Sequence, residues 1–388
     1  MKKRLPVSTR AFILALPILG VLLLPDWRLF TRAVTYPDDE VTAVNWYKPL
    51  QRVAGKPGQP LPLAIPQEQT IPPDALEEVV SYAQAQNSSA LLILHRGKLV
   101  LEQYWQGYTS SSVSNSMSMS KSVLALLIGI AIQEGHIGSV DDPVSRYLPE
   151  WSKDSRSDLT IEDLLYMQSG LRNDDRTDTA SSDLVKMYLS SKVDQVALQV
   201  PQLEIPRQRY DYNNVNSQIL SIILERATGE PYADYLSTRL WQPLQASNGF
   251  VWLDRPGGTA KPFCCLFATP HDWVRLGQML LNQGKVGQRQ VVPADWLDRM
   301  LTPSPIEPTY GYHIWLKART KEFPNVDQAA STAFVAPDTF YLDGRGLQRV
   351  YVIPSQDLVI VRIGEQPENW DDATIPNTLV RSLLRASE

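Results

Sequence analysis

A strongly apolar stretch, SVLALLIGIAIQEG, starts at Ser122, follows a serine-rich loop (TSSSVSNSMSM) and ends at Gly135. Its length predicts a helix buried on most of its sides. Upstream, ALLILHRGKLVLEQYW holds two apolar runs around Arg96 and Gly97, which predicts a β-hairpin. Before that, DALEEVVSYAQAQ, with Pro73 at its first turn, predicts a helix from Asp74. From about 141 to 300, helical patterns (TIEDLLYMQ, VNSQILSIILERATG, PHDWVRLGQMLLNQG) alternate with loops. Strand patterns return near the end as FYLDG, LQRVYVIP and LVIVRIG, and IPNTLVRSLLRA predicts a closing helix. Strands come from the two ends and helices from the middle, which predicts one sheet built from both ends with a mostly helical insertion. A doubly wound parallel sheet would alternate strand and helix throughout.

The first 25 residues break this pattern. A basic stretch, MKKRLPVSTR, precedes an unbroken apolar run over residues 11–25, which predicts a signal peptide or a membrane anchor. No small-x-small cleavage site follows it. The basic end stays in the cytoplasm and the rest is exported, to the periplasm or the outer face of the cytoplasmic membrane. Residues 26–72 carry Pro37, Pro49, Pro57, Pro60, Pro62, Pro66 and Pro72, expected as a proline-rich spacer or a strap over the domain with little regular structure. Residues 73–388 form the remaining domain.

Composition narrows the function. The formal charge is −5 on 388 residues. Lys2, Lys3, Arg4 and Arg10, with no acid among the first 25 residues, leave −9 on the rest. That balance speaks against a nucleic-acid partner. His95, His136, His271 and His313 have no metal-ligand spacing, so no metal or other cofactor is expected. Cys264 and Cys265 are neighbours, so there is no disulfide framework; a bridge between them would be strained, and two packed free thiols are expected.

Ser118 stands where the serine-rich loop becomes the apolar helix, with Lys121 three residues later on the same face. A serine alcohol becomes a nucleophile when a base takes its proton, and a desolvated lysine can be that base. The spacing alone also describes a serine cap followed by a surface lysine. Here a strongly apolar run begins at the lysine, and no other lysine in the chain has a serine three residues before it. Tyr212 and Asn214, ahead of the helical pattern VNSQILSIILERATG, offer a proton relay and a carbonyl-binding amide. Tyr210 competes with Tyr212. Tyr310, Tyr312 and Trp315 could line a cleft or pack a strand.

Ser118-x-x-Lys121 followed by Tyr212-x-Asn214 resembles the serine beta-lactamase and penicillin-recognising hydrolase superfamily, on its class C side with esterase, D-aminopeptidase and 6-aminohexanoate-dimer-hydrolase relatives. VDDPVSRYLPEW, LTIEDLLYMQSGL, FCCLFATPHDWVRLGQMLLNQG and RVYVIPSQDLVIVRIG extend the likeness, in order, over most of residues 73–388. The resemblance implies a beta-lactamase/transpeptidase-like α+β fold, an antiparallel sheet flanked by helices with an inserted mostly helical domain. It implies an acyl-enzyme on Ser118, Lys121 as general base, Tyr212 in proton transfer, Asn214 orienting substrate and an oxyanion donor near Gly344. The resemblance also implies a small ester or amide as substrate.

One motif departs from the family. Leu342 stands where the family's third motif has Lys or His, with Gly344 as its glycine, so hydrolysis of beta-lactams is disfavoured and an uncharged or cationic substrate favoured. Arg345 is the candidate to supply the missing charge. The same departure motivates a second reading, a catalytically poor protein that binds cell-wall peptides or acyl groups.

Overall fold

The computed structural model describes residues 26–386. The expected signal peptide or anchor over residues 1–25 lies outside the described residues, among which no helix is long and apolar enough to cross a membrane. In chain order, the strands are β1 (Leu50–Val53), β2 (Ser88–His95), β3 (Lys98–Tyr104), β4 (Ser114–Asn115), β5 (Gly249–Trp252), β6 (Leu266–Ala268), β7 (Lys285–Val286), β8 (Arg289–Gln290), β9 (Phe340–Gly344), β10 (Gln348–Ile353) and β11 (Leu358–Gly364). Six helices organise the fold: α1 (Trp27–Val34), α2 (Pro73–Ala85), α3 (Met119–Gln133), α4 (Asn214–Thr228), α5 (Pro270–Leu281) and α6 (Thr374–Ala386).

The main sheet has the order β3-β2-β11-β10-β9, antiparallel throughout, so strands from the two ends of the chain do form one sheet. Its central strands read as continuous apolar runs because both faces are covered. Leu91, Ile93, Tyr351, Ile353 and Ile360 pack under α2 and α6. Ala90, Leu92, Leu94, Val350, Val352, Val359 and Val361 face the larger core, where α5 crosses the sheet and α3 runs behind it. Arg96 and Gly97, both at positive φ, close the β2–β3 hairpin.

A second antiparallel sheet, β1-β5-β6-β4, was not foreseen. It lifts β5 and β6 out of the stretch expected to be helical, and it recruits β1 from the proline-rich stretch. Residues 26–72 run along the domain. Arg32 of α1 donates to the carbonyls of Leu189, Ser190, Lys48 and Asp254, and the Val41 and Thr42 N–H groups bind the Glu365 carboxylate.

The expected free thiols are corrected: Cys264 and Cys265 are joined as a disulfide. Both of their N–H groups donate to the Lys261 carbonyl, and this tight turn holds the two sulfurs together in a buried pocket.

Candidate active site

β4 delivers the chain to Ser118 at the head of α3. Met117 takes a left-handed φ of 49°, with its N–H held by the Asn115 side chain, and this turns the following residue out of the strand direction. Ser118 occupies the capping position of α3, yet its side chain makes no capping hydrogen bond. Its hydroxyl instead accepts from Lys121 Nζ at 3.0 Å. α3 is apolar on every side because it is buried from Met119 to Ala131, and Lys121, 1% exposed, is buried with it. Its ammonium is caught between the Ser118 hydroxyl and the Phe263 carbonyl. Burial pushes the Lys121 amine down to about 7, against an opposing pull from the Asp343 carboxylate.

Tyr212 comes from the loop before α4 and hydrogen-bonds Ser118, with Lys121 Nζ 5.2 Å from its ring centre. Burial raises its phenol well above the usual range, so it stays protonated. Trp315 stacks against it at 6.1 Å and Tyr310 meets it edge-on at 6.1 Å. Tyr312 turns elsewhere, to Glu162 and Trp296. Tyr210, the alternative to Tyr212, is buried against Tyr310 instead.

The two neighbouring asparagines divide their work. Asn213 caps α4, accepting from the Val215 N–H at 2.9 Å while its amide donates to the Leu171 and Arg172 carbonyls. Asn214, half-buried, has no side-chain hydrogen bond among the described residues, so its amide is free for a ligand.

β9 brings Gly344 against the turn before Ser118. A Cβ there would lie 2.4 Å from the Ser116 carbonyl oxygen, an approach that only glycine permits. Leu342 is fully buried in the core opposite Val350. Asp343, between them, pairs with Arg319 at 3.0 Å and with Arg349, which also holds Asp372 at 2.8 Å. Arg319 lies 4.4 Å over Trp315. Arg345, the residue after Gly344, is held 2.5 Å from Glu40.

The structure therefore brings Ser118, Lys121 and Tyr212 together, sets Asn214 at the start of the adjoining helix and Gly344 opposite, and takes Arg345 into an ion pair. Sequence reading missed the Phe263 carbonyl, Asp343 and Arg319. Asp343 sits within FYLDG and could have been found as the one carboxylate in that strand. The Phe263 carbonyl leaves no trace in residue type.

A profile of the Beta-lactamase family matches residues 74–384, and the chain belongs to that family. The chain is 26% identical over 295 residues to 6-aminohexanoate-dimer hydrolase of Paenarthrobacter ureafaciens, covering 72% of this chain and 73% of that protein. It is 27% identical over 184 residues to teichoic acid D-alanine hydrolase of Staphylococcus aureus, 44% of this chain and 42% of that protein. Among solved structures, a Bacillus anthracis protein assigned as a 6-aminohexanoate-dimer hydrolase superposes with a TM-score of 0.71 at 18% identity, over 89% of this chain and 93% of that one. A family VIII carboxylesterase does so at 0.61 and 15%, over 87% and 99%. These two likenesses establish the beta-lactamase/transpeptidase-like fold.

Proposed function

We propose that this protein is an exported serine hydrolase that cleaves an ester or amide through an acyl-enzyme on Ser118. The observation that carries the reading is Lys121 Nζ, 1% exposed, 3.0 Å from Ser118 Oγ and poised near neutral pH. A lysine with that proton affinity is a substantial fraction neutral at physiological pH and can take the serine proton. As Oγ attacks the carbonyl carbon, the proton passes to Nζ, and the oxyanion forms against the Ser118 N–H and a backbone N–H near Gly344. Collapse breaks the bond to the leaving group, which receives its proton from Lys121 by way of the Tyr212 hydroxyl. Water then adds to the acyl carbon and releases the acid.

Asn214 orients the substrate carbonyl. Relatives named as hydrolases of a 6-aminohexanoate dimer and of teichoic acid D-alanine, with a structural neighbour named as a carboxylesterase, support the ester or amide class. Leu342 is buried where a cation would stand, and Arg319, Arg349 and Arg345 are each paired with carboxylates among the described residues, which favours uncharged or cationic substrates over beta-lactams. Export rests on the basic and apolar residues 1–25, with residues 11–25 as the tether to the outer face of the membrane.

The test is intact mass of residues 26–388 after a fluorophosphonate probe, run beside Ser118→Ala. One adduct on the wild type, absent in the variant, is expected. No adduct on the folded protein would overturn the reading and leave a binding protein of this fold.

A further inference from the structure

We propose that Glu40, reaching in from the N-terminal segment, sets the charge preference of the site by holding Arg345, so that acyl groups carrying a carboxylate are refused. The inference rests on the hydrolase reading above and names the substrate feature that the site selects against.

Lys121 is committed to the serine hydroxyl and the Phe263 carbonyl. Arg319 and Arg349 are both spent on Asp343 and Asp372, two positive charges against two negative ones. Arg345 is different. It follows Gly344 directly, at the end of the strand that abuts the Ser118 turn, and its side chain is 58% exposed. Among the described residues it pairs with one carboxylate, Glu40, whose own side chain is 11% exposed.

Glu40 is held in place more firmly than a surface acid would be. Tyr36 donates its hydroxyl to the carboxylate, Tyr47 donates to the Glu40 carbonyl at 2.5 Å, and the next two residues are fastened to Glu365. The same segment touches the nucleophile turn. Asn115 N–H donates to the Val41 carbonyl, and Tyr188, ring-packed on Tyr36 at 6.0 Å, reaches the Met117 sulfur at 3.8 Å. Val41 also lies against the turn at Gly346. The N-terminal segment, the end of β9 and the Ser118 turn thus meet at one corner. There the acid cancels a guanidinium that would otherwise offer a substrate carboxylate a two-point partner.

The experiment compares p-nitrophenyl butyrate with the mono-p-nitrophenyl ester of glutarate, similar acyl chains of which one ends in a carboxylate. Wild type is expected to prefer the neutral ester. Glu40→Gln should raise kcat/KM for the anionic ester about tenfold, the worth of one charge-assisted contact, and leave the neutral ester within about twofold. Adding Arg345→Gln to Glu40→Gln should remove that gain. An unchanged ratio in folded Glu40→Gln, or a gain that survives the second substitution, overturns the proposal. Glu40→Met takes the place of the amide variant if the latter does not fold.

Failure of the hydrolase reading looks different: neither ester is turned over and Ser118 forms no fluorophosphonate adduct. Calorimetric binding of glutarate then decides, with binding to Glu40→Gln but not to wild type expected and equal behaviour overturning the proposal.

Discussion

Lys121 and Tyr212 face each other beside Ser118, with Nζ 5.2 Å from the phenol ring centre, and the same burial drives their proton affinities in opposite directions. Desolvation disfavours whichever form is charged, so the amine loses its proton early and the phenol keeps its own. One pocket thereby holds an amine that is partly neutral near pH 7 beside a phenol that stays protonated, the pair that the proposed mechanism uses as base and proton relay.

This opposition fixes the pH profile. The rate of acylation should rise with pH through about 7, as Lys121 becomes neutral, and then stay level, because Tyr212 does not ionise in the accessible range. The profile of kcat/KM, or of fluorophosphonate labelling, measures it. A descending limb below pH 9 would contradict the assignment.

Asp343 pulls the Lys121 proton affinity upward. Asp343→Asn removes that pull and leaves the positive charges of Arg319 and Arg349 in place, so the ascending limb should move to lower pH. The same change leaves two arginines with one carboxylate partner fewer, and stability should fall by about 3 kcal/mol. Labelling against pH and chemical denaturation read the two effects separately.

Lys121→Met should lower the acylation rate by about 10²–10⁴-fold while raising stability. The sign follows from linkage. An unfolded lysine keeps its proton up to about 10.5 and the folded one releases it near 7, so between these values the unfolded chain binds more protons. Lys121 therefore costs stability, a cost that shrinks as pH rises through this window and that the thioether avoids. A higher melting temperature in a nearly inactive variant is the expected pair of results.

Asn213 and Asn214 should separate cleanly. Asn213→Ala loses the cap of α4 and should cost about 1 kcal/mol of stability. Asn214→Ala should leave stability within about 0.5 kcal/mol and lower kcat/KM, since its amide makes no hydrogen bond among the described residues. Denaturation and steady-state kinetics on the two variants are enough.

Gly344→Ala places a methyl group 2.4 Å from the Ser116 carbonyl, a backbone atom that cannot swing aside. The strand end must withdraw from Ser118, and with it the backbone N–H proposed to hold the oxyanion, so kcat should drop by about 10²–10³-fold. The folded protein should still bind Asn214-directed substrates with little change in KM.

What the chain determined by itself was local. The i, i+3 spacing of Ser118 and Lys121 places both side chains on one face wherever a helix forms, and the apolar run after Lys121 requires that helix to be buried. Arg96 and Gly97 between two apolar runs suffice for the β2–β3 hairpin, and the runs near the C-terminus for β9, β10 and β11. The family motifs carried Tyr212 to the same site. The second sheet escaped because β4 has two residues and β6 three, too short for any period to show; they are strands through their partners alone. The Phe263 carbonyl on Lys121, the Arg319–Asp343–Arg349 network and the Glu40–Arg345 pair join residues from about 6 to 305 positions apart, and the pairing of Cys264 with Cys265 depends on the turn that buries them. Charge compensation and desolvation are properties of what ends up beside a group, and only the folded chain decides that.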